Sequence, residues 1–595
     1  MSLAQPATLF PSRPPSRLDK RALIRSTSLR TLLIMSVAGA TTIANGAARA
    51  NSDDPQLKQL EAQILQIKRQ NQEEIAGLER EVRQLRATQQ ARPAVVAAAS
   101  PAPATPAAVS AAPAGQVVYT QPAASLTTQV SSGNSPSTPK LIESPTHQFG
   151  FASADGANTI SIIARLQLDG ADYTHVNPQG GLIKGAGPGS NAGGPLDSGF
   201  NARRARFGIG GTFQSDWAYR FIYDFGGSSD SVTTGVSGAD TSGIENANIT
   251  YNGFYKPSYR FPVAADVGYL DVPLYLEDAT SSNDIMFLER ATPEVIATEF
   301  GGGDYRSVIG ARSNDSRYWV GAYLTGPQSG SPHTGADNSA QALVARASYQ
   351  LIQNSFASLH LGADVDHLFQ ARSAYNSGTT GLKTNSSYLA LSDRPELRVD
   401  PTTILNTGGI PTKDGTVYSA EAAGAFGPIY AQGEFFHYTI DQFDHGINPT
   451  DGDANLLAPT LNFNGGYAEA SYSLGGTRRY IPATGAYSGV VPAENFSTHG
   501  GGWGALELAA RYSDIDLDDG VKPGEAPHVT GGVEGGKQQG VDVGVNWYPN
   551  VNMKFMLDYI NTNVDKLKAT TNGSVPTTDA GARIQAIAAR AQFTY

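Results

Sequence analysis

The chain has 595 residues with 43 basic and 54 acidic side chains, a formal charge of −11, which excludes a phosphate-backbone binder of nucleic acid because that needs a basic surface. The absence of cysteine excludes disulfides, thiol chemistry and cysteine metal sites. After the N-terminal leader no apolar run approaches the ~18 residues of a membrane helix, so any passage through a bilayer is by strands.

Arg13, Arg17, Lys20, Arg21, Arg25 and Arg30 precede the apolar run 32–44, and Ala48-Arg49-Ala50 gives the small-x-small pattern of a signal-peptidase site. Residues 1–50 therefore read as a secretory signal peptide whose removal makes the mature chain more acidic. In 51–90, Leu57, Leu60, Ile64 and Ile67 keep a and d spacing, Asn71 takes the next a position, and Ile75, Leu78, Val82 and Leu85 resume after a four-residue stutter. That pattern predicts a short oligomeric coiled coil in the periplasm, the alternative being one amphipathic helix on the protein's own surface. Residues 91–146 are rich in Ala, Pro, Ser and Thr, show no periodicity, and read as a disordered linker.

From 147 to 595 the chain alternates apolar and polar residues in segments joined by connections that switch between short and long. Tight turns fall near 214–216, 256–258, 313–315, 353–355, 427–428 and 549–550. Long loops fall near 174–199, 227–243, 272–304, 325–339, 371–415, 441–465, 518–537 and 565–582. With 475–502 as a seventh, unusually long turn-side connection, the count is sixteen strands, and an alternating stretch near 386–399 goes to a loop. The last strand carries Ile587, Ala589, Ala591, Phe593 and Tyr595 on one face and Arg590, Gln592 and Thr594 on the other. The expected fold is all-β: a sixteen-stranded antiparallel transmembrane β-barrel in outer-membrane lipid, a soluble β-sandwich being the weaker alternative.

Residues 203–208 (RRARFG), 268–291 (GYLDVPLYLEDATSSNDIMFLERA), 465–480 (GGYAEASYSLGGTRRY), 504–517 and 541–558 in this order resemble the phosphate-selective porin O and P family over essentially all of 147–595. The resemblance implies a homotrimeric barrel, often preceded by a periplasmic coiled coil, that carries small anions such as phosphate by passive diffusion.

Alternation places Arg165 on strand one, Arg204 and Arg206 on strand two, Arg220 on strand three, Arg260 on strand five and Arg590 on strand sixteen inside the lumen. Barrel closure puts Arg590, Arg165, Arg204, Arg206 and Arg220 on one wall, a strip whose forked, permanently charged groups suit phosphate oxygens. The alternative is that these arginines are solvated or paired with Asp169 and Asp224. If 272–304 folds inward, as the resemblance implies, Glu277, Asp278, Asp284 and Glu289, with Arg290 as the loop's one base, form a constriction facing that wall. Acids outnumber bases in 147–595 and only nine of its bases are lysine, which counts against a dedicated phosphate channel while leaving room for an anion-preferring lumen.

Residues 531–537 (GGVEGGK) fail as a phosphate-binding loop, since Gln538 stands where Ser or Thr is needed and a strand follows. The nine histidines include no HExxH. No catalytic group, metal or cofactor is expected, and the expected function is an outer-membrane porin for passive diffusion of small hydrophilic solutes, its anion preference set by Arg204, Arg206, Arg165, Arg220 and Arg590, with a general, weakly selective porin as the alternative. The rival is an envelope tether that uses the barrel as an anchor and 51–146 for cell-wall contact.

Overall fold

The computed structural model describes residues 138–143, 149–178, 196–226, 243–256, 259–326, 340–371, 373–377, 383–442, 459–521, 531–566 and 581–595. The signal peptide, the coiled coil and nearly all of the linker lie outside these residues.

Twenty strands join one antiparallel sheet, of which sixteen close into a barrel. The first half of the barrel is β1 Thr159–Pro178, β2 Gly199–Phe213, β3 Trp217–Asp224, β4 Gly243–Tyr251, β5 Val263–Asp271, β6 Tyr305–Asn314, β7 Tyr318–Thr325 and β8 Gln341–Gln353. The second half is β9 Ala357–Gln370, β10 Ile410–Phe426, β11 Ile429–Gln442, β12 Leu461–Leu474, β13 Ala505–Asp519, β14 Val533–Asn550, β15 Met553–Asp565 and β16 Ala582–Thr594. β16 pairs with β1 from Ala582↔Pro178 to Thr594↔Arg165, so the barrel has no open seam there. The first residues of β1 extend past the end of β16, and a hairpin of Lys140–Glu143 and Phe149–Ala152 covers that edge through Ala152↔Thr159 and Phe151↔Ile160. Tyr595 locks it, its hydroxyl accepting from the Phe149 N–H at 3.0 Å.

The outward positions are the apolar half of each alternation: Phe207, Phe221, Leu324, Phe435, Leu557 and Phe593 are all exposed on the barrel surface. The inward positions divide in two. Around β1–β4 and β16 the polar Gln167, Arg204, Arg206, Asn246, Asn248 and Arg590 alternate with buried apolar residues such as Ile222, Ile584 and Ala586, whereas the opposite wall adds a larger apolar cluster of Val344, Leu368, Val417, Phe436, Tyr438, Phe463 and Ile515 beside Asp364, Glu421 and Glu434.

Residues 272–304, here L3, explain the division. They carry two short helices, α1 Leu276–Ala279 and α2 Thr292–Phe300, and lie inside the barrel against the apolar wall, with Tyr275, Ile296 and Phe300 in the same core. Each fully buried side chain of that size is worth roughly 1.5–3 kcal/mol, so L3 is seated by burial as well as by charge.

Two further segments enter the lumen. The connection 475–504 between β12 and β13 forms two small ladders, Gly476–Thr477 with Val491–Pro492 and Tyr480–Ile481 with Ala486–Tyr487. Its tip is held inside by Arg346 on β8, which donates to the Thr484 and Gly485 carbonyls at 2.6 and 2.7 Å. Gly485 has φ 63° and an added Cβ there would lie 2.9 Å from the Trp319 side chain, so glycine is required at the tip. In the loop after β9, Ser373–Ser377 pairs with Lys383–Leu389, which rejoins β10 at Leu389↔Ile410, and the chain between carries Asp393, Glu396 and Arg398 into the interior. The alternating stretch near 386–399 is thus partly a strand of this hairpin.

Candidate functional site: a charged lumen around L3

β2 departs from simple alternation. Gln167 pairs with Arg204 and Leu168 with Ala202, so Arg203 is the extra residue of a β-bulge and both Arg203 and Arg204 point inward. Strict period 2 from Arg204 and Arg206 would put Arg203 on the outer face; the doubled arginine before Ala205 is the signal against it, because an outward cation in a lipid-facing strand is costly.

Arg203 grips Glu289 of L3 with two bonds of 2.7 and 2.9 Å. Arg590 donates to the same carboxylate at 3.0 Å while holding Asp169 at 2.6 and 2.7 Å, and Arg398 approaches at 3.4 Å. Three guanidinium groups from β2, β16 and the loop after β9 therefore converge on one L3 carboxylate. Burial pushes the Glu289 carboxyl up, but Arg203, Arg590 and Arg398 outweigh it and hold it well below the usual carboxylate range.

The other arginines expected in the strip are placed as follows. Arg204 is buried and donates to Gln167 at 2.9 Å. Arg206 pairs with Asp224 at 2.8 Å and Glu245 at 3.0 Å and donates to the Tyr305 hydroxyl at 2.8 Å. Arg165 donates to Ser282 of L3 at 2.7 Å. Arg165, Arg206 and Arg220 line one cavity of about 220 Å³ between the wall and L3. The pairing alternative thus describes Arg590 and Arg206, while Arg165 and Arg220 line the cavity.

Arg260 is not in the lumen: it sits exposed in the turn before β5, over the Phe261 ring at 5.4 Å. The alternation of β5 does not run back through Pro262, so the parity that placed Arg260 inside does not apply.

The L3 acids do not form a single face opposite the arginines. Glu289 closes directly onto them. Glu277 turns back to accept from the Ala291 N–H at 3.0 Å, Asp278 lies 3.4 Å from Arg290, and Asp284 lines the cavity. Arg290 also pairs with Asp304 at 2.9 Å and donates to the Glu277 and Asp278 carbonyls at 3.1 and 3.3 Å, closing L3 on itself. Burial pushes the Asp278 carboxyl well above its ordinary range, Asp271 adds to that, and Arg290 draws it back.

The far wall holds L3 through carboxylates. Tyr275, a non-glycine residue at φ 57°, donates its N–H to Asp364 at 3.2 Å; Leu276 and Glu277 donate theirs to Glu434 at 2.7 and 3.0 Å. That strained entry is kept because three successive amides are bound. Asp364, Glu421 and Glu434 have carboxylate atoms within 4.8 Å of one another, a grouping that the search for metal ligands along the sequence did not reveal. Glu421 is already taken by Arg346 at 3.0 Å and His360 at 2.8 Å, and Glu434 also accepts from Tyr467 at 2.6 Å, so the trio serves as an anchor for L3. Near the mouth of 475–504, Arg478 binds Glu507 at 2.6 Å and the Asp284 carbonyl at 2.6 Å, tying that connection to L3.

The family model described as phosphate-selective porin O and P matches residues 188–595. The chain is 26% identical over 373 residues to Porin O of Pseudomonas aeruginosa, covering 61% of this chain and 77% of that protein. It is 29% identical over 231 residues to an uncharacterized protein of Caulobacter vibrioides, 38% of each chain. Among solved structures it is similar to an anion-selective porin from Comamonas acidovorans, at a TM-score of 0.40 and 11% identity over 74% of this chain and 100% of that one. It is also similar to the trimer form of OmpT of Vibrio cholerae, at a TM-score of 0.38 and 10% identity over 74% of this chain and 100% of that one.

Proposed function

The chain belongs to the phosphate-selective porin O and P family and is an outer-membrane porin, and from that premise we propose that it is an anion-preferring diffusion channel for small hydrophilic solutes, phosphate among them. The observation that carries the reading is the cavity beside L3, where Arg165, Arg206 and Arg220 stand together on adjacent strands. An anion passing there exchanges water for guanidinium hydrogen bonds in a narrowed path, which lowers its desolvation cost relative to a cation. We further propose a homotrimer, with 51–90 as a periplasmic coiled coil that supports assembly and contacts the cell wall.

Asp271, Asp278 and Asp284 on the other side of the cavity favour a second reading, a general porin with weak ion preference. Planar-bilayer measurement of the reversal potential in a KCl gradient, followed by phosphate titration, separates the two. Chloride selectivity with block by phosphate supports the anion channel; large currents insensitive to phosphate support the general porin.

A further inference from the structure

The cavity beside L3 is not lined by charge alone. On β4, Asn246 and Asn248 turn into it from between the arginine side and L3, and they are only 4% and 8% exposed. On the L3 side Asn283 and Asp284 reach it. Among the described residues, Asn246 Nδ2, Asn248 Oδ1, Asn283 Oδ1 and Asp284 Oδ2 have no hydrogen-bond partner. Buried amide and carboxylate atoms are costly to leave unmet, so such a set points to a visitor that supplies both donors and acceptors.

Inorganic phosphate is a poor match for this set. Its oxygens suit guanidinium, but they are mostly acceptors, and they would meet the acceptor oxygens of Asn248, Asn283 and Asp284. A hydroxyl group both donates and accepts. It can give its proton to a carboxylate or amide oxygen and take one from an amide N–H.

We propose that this cavity is a subsite for a small phosphorylated polyol. Its phosphate lies on the side of Arg165 and Arg220, with Arg206 held beside them by Asp224 and Glu245, and its hydroxyls run across Asn246 and Asn248 toward Asn283 and Asp284. The assignment rests on the anion-preferring reading above and names the class of solute for it. The volume of about 220 Å³ suits a solute of a few carbon atoms rather than a bare ion.

The test uses the purified full chain in planar bilayers, with glycerol 3-phosphate, inorganic phosphate and glycerol titrated separately against the chloride current. Glycerol 3-phosphate is expected to halve the current at a roughly 10-fold lower concentration than inorganic phosphate, the factor that one or two added hydrogen bonds supply. Glycerol alone is expected to leave the current unchanged. In Asn246→Ala/Asn248→Ala the roughly 10-fold advantage of glycerol 3-phosphate over inorganic phosphate should vanish.

Equal or weaker block by glycerol 3-phosphate in the unaltered protein overturns the proposal, as does an unchanged ratio in the conducting double variant. If inorganic phosphate blocks and chloride preference holds, only the polyol assignment fails. If neither phosphate blocks and the reversal potential shows no anion preference, both readings fall together.

Discussion

Glu289→Gln removes one charge from the place where L3 meets the arginine wall and keeps the side chain's shape. Arg203 at 2.7 Å, Arg590 at 3.0 Å and Arg398 at 3.4 Å all lose a counter-ion, and Asp169 remains only for Arg590. Breaking a buried pair by removing one partner costs about 3–5 kcal/mol, because the other charges stay buried. That loss falls on the seating of L3, since the opposite wall still holds Tyr275, Leu276 and Glu277 through Asp364 and Glu434. Hydrogen exchange at Leu288, whose N–H donates to Asp558 at 2.8 Å, reports the local opening. A cost of 3–5 kcal/mol raises that exchange by roughly 100- to 4,000-fold. Acid cannot substitute for the mutation: the carboxyl is held below its ordinary value, so its contribution is present above the unfolded pKa and is lost only as pH falls through the lower folded one. The same substitution leaves the lumen one negative charge poorer and should shift the reversal potential toward chloride. Exchange at Leu288 within threefold of the unaltered protein, with no shift in reversal potential, would refute the view that Glu289 is the keystone of L3.

Arg165→Ala and Arg220→Ala should each reduce chloride permeability by about fivefold, the effect of one charge ~4 Å from the path in a water-like dielectric, and lower the chloride-to-potassium ratio further; a drop in Arg590→Ala as large as in these two would count against the cavity as the selective region. Arg346→Ala releases the carbonyls of Thr484 and Gly485 and should give larger, noisier single-channel currents as the 475–504 connection leaves the lumen; unchanged conductance would mean the connection is held by packing alone. Burial pushes the Asp393 carboxyl up to about 6 against the pull of Arg398, so its protonated form contributes to the seating of this loop at lower pH and that contribution is lost as pH rises through about 6. Chloride preference should therefore fall modestly between about pH 5 and about pH 7.5, and Asp393→Asn should abolish the change; a pH dependence that survives the substitution assigns it elsewhere.

The barrel was legible because alternation is a local property imposed by the membrane: each strand faces lipid on one side, and that demand shows in single stretches such as Trp217–Asp224. What alternation cannot carry is a change of phase. The bulge at Arg203 and the break at Pro262 each shift the parity by a local event, which hid one inward arginine and turned Arg260 inward on paper. The filled lumen could not be read from alternation for a different reason, since L3, whose inward fold only the resemblance implied, and the connection 475–504 are positioned by contacts far along the chain, such as Arg511 to the Glu289 carbonyl at 2.8 Å. Yet the wall that receives L3 did leave a trace in the sequence. Phe435 and Phe436 are adjacent, one 55% and the other 0% exposed, so at this point β11 is apolar on both faces. Strands β8–β13 should therefore be read as the floor on which L3 rests and β16–β4 as the wall of the conducting path. On the proposed function, that division would put the selectivity of the channel in side chains from five of the sixteen strands, and make the opposite wall a scaffold whose substitutions act through the seating of L3.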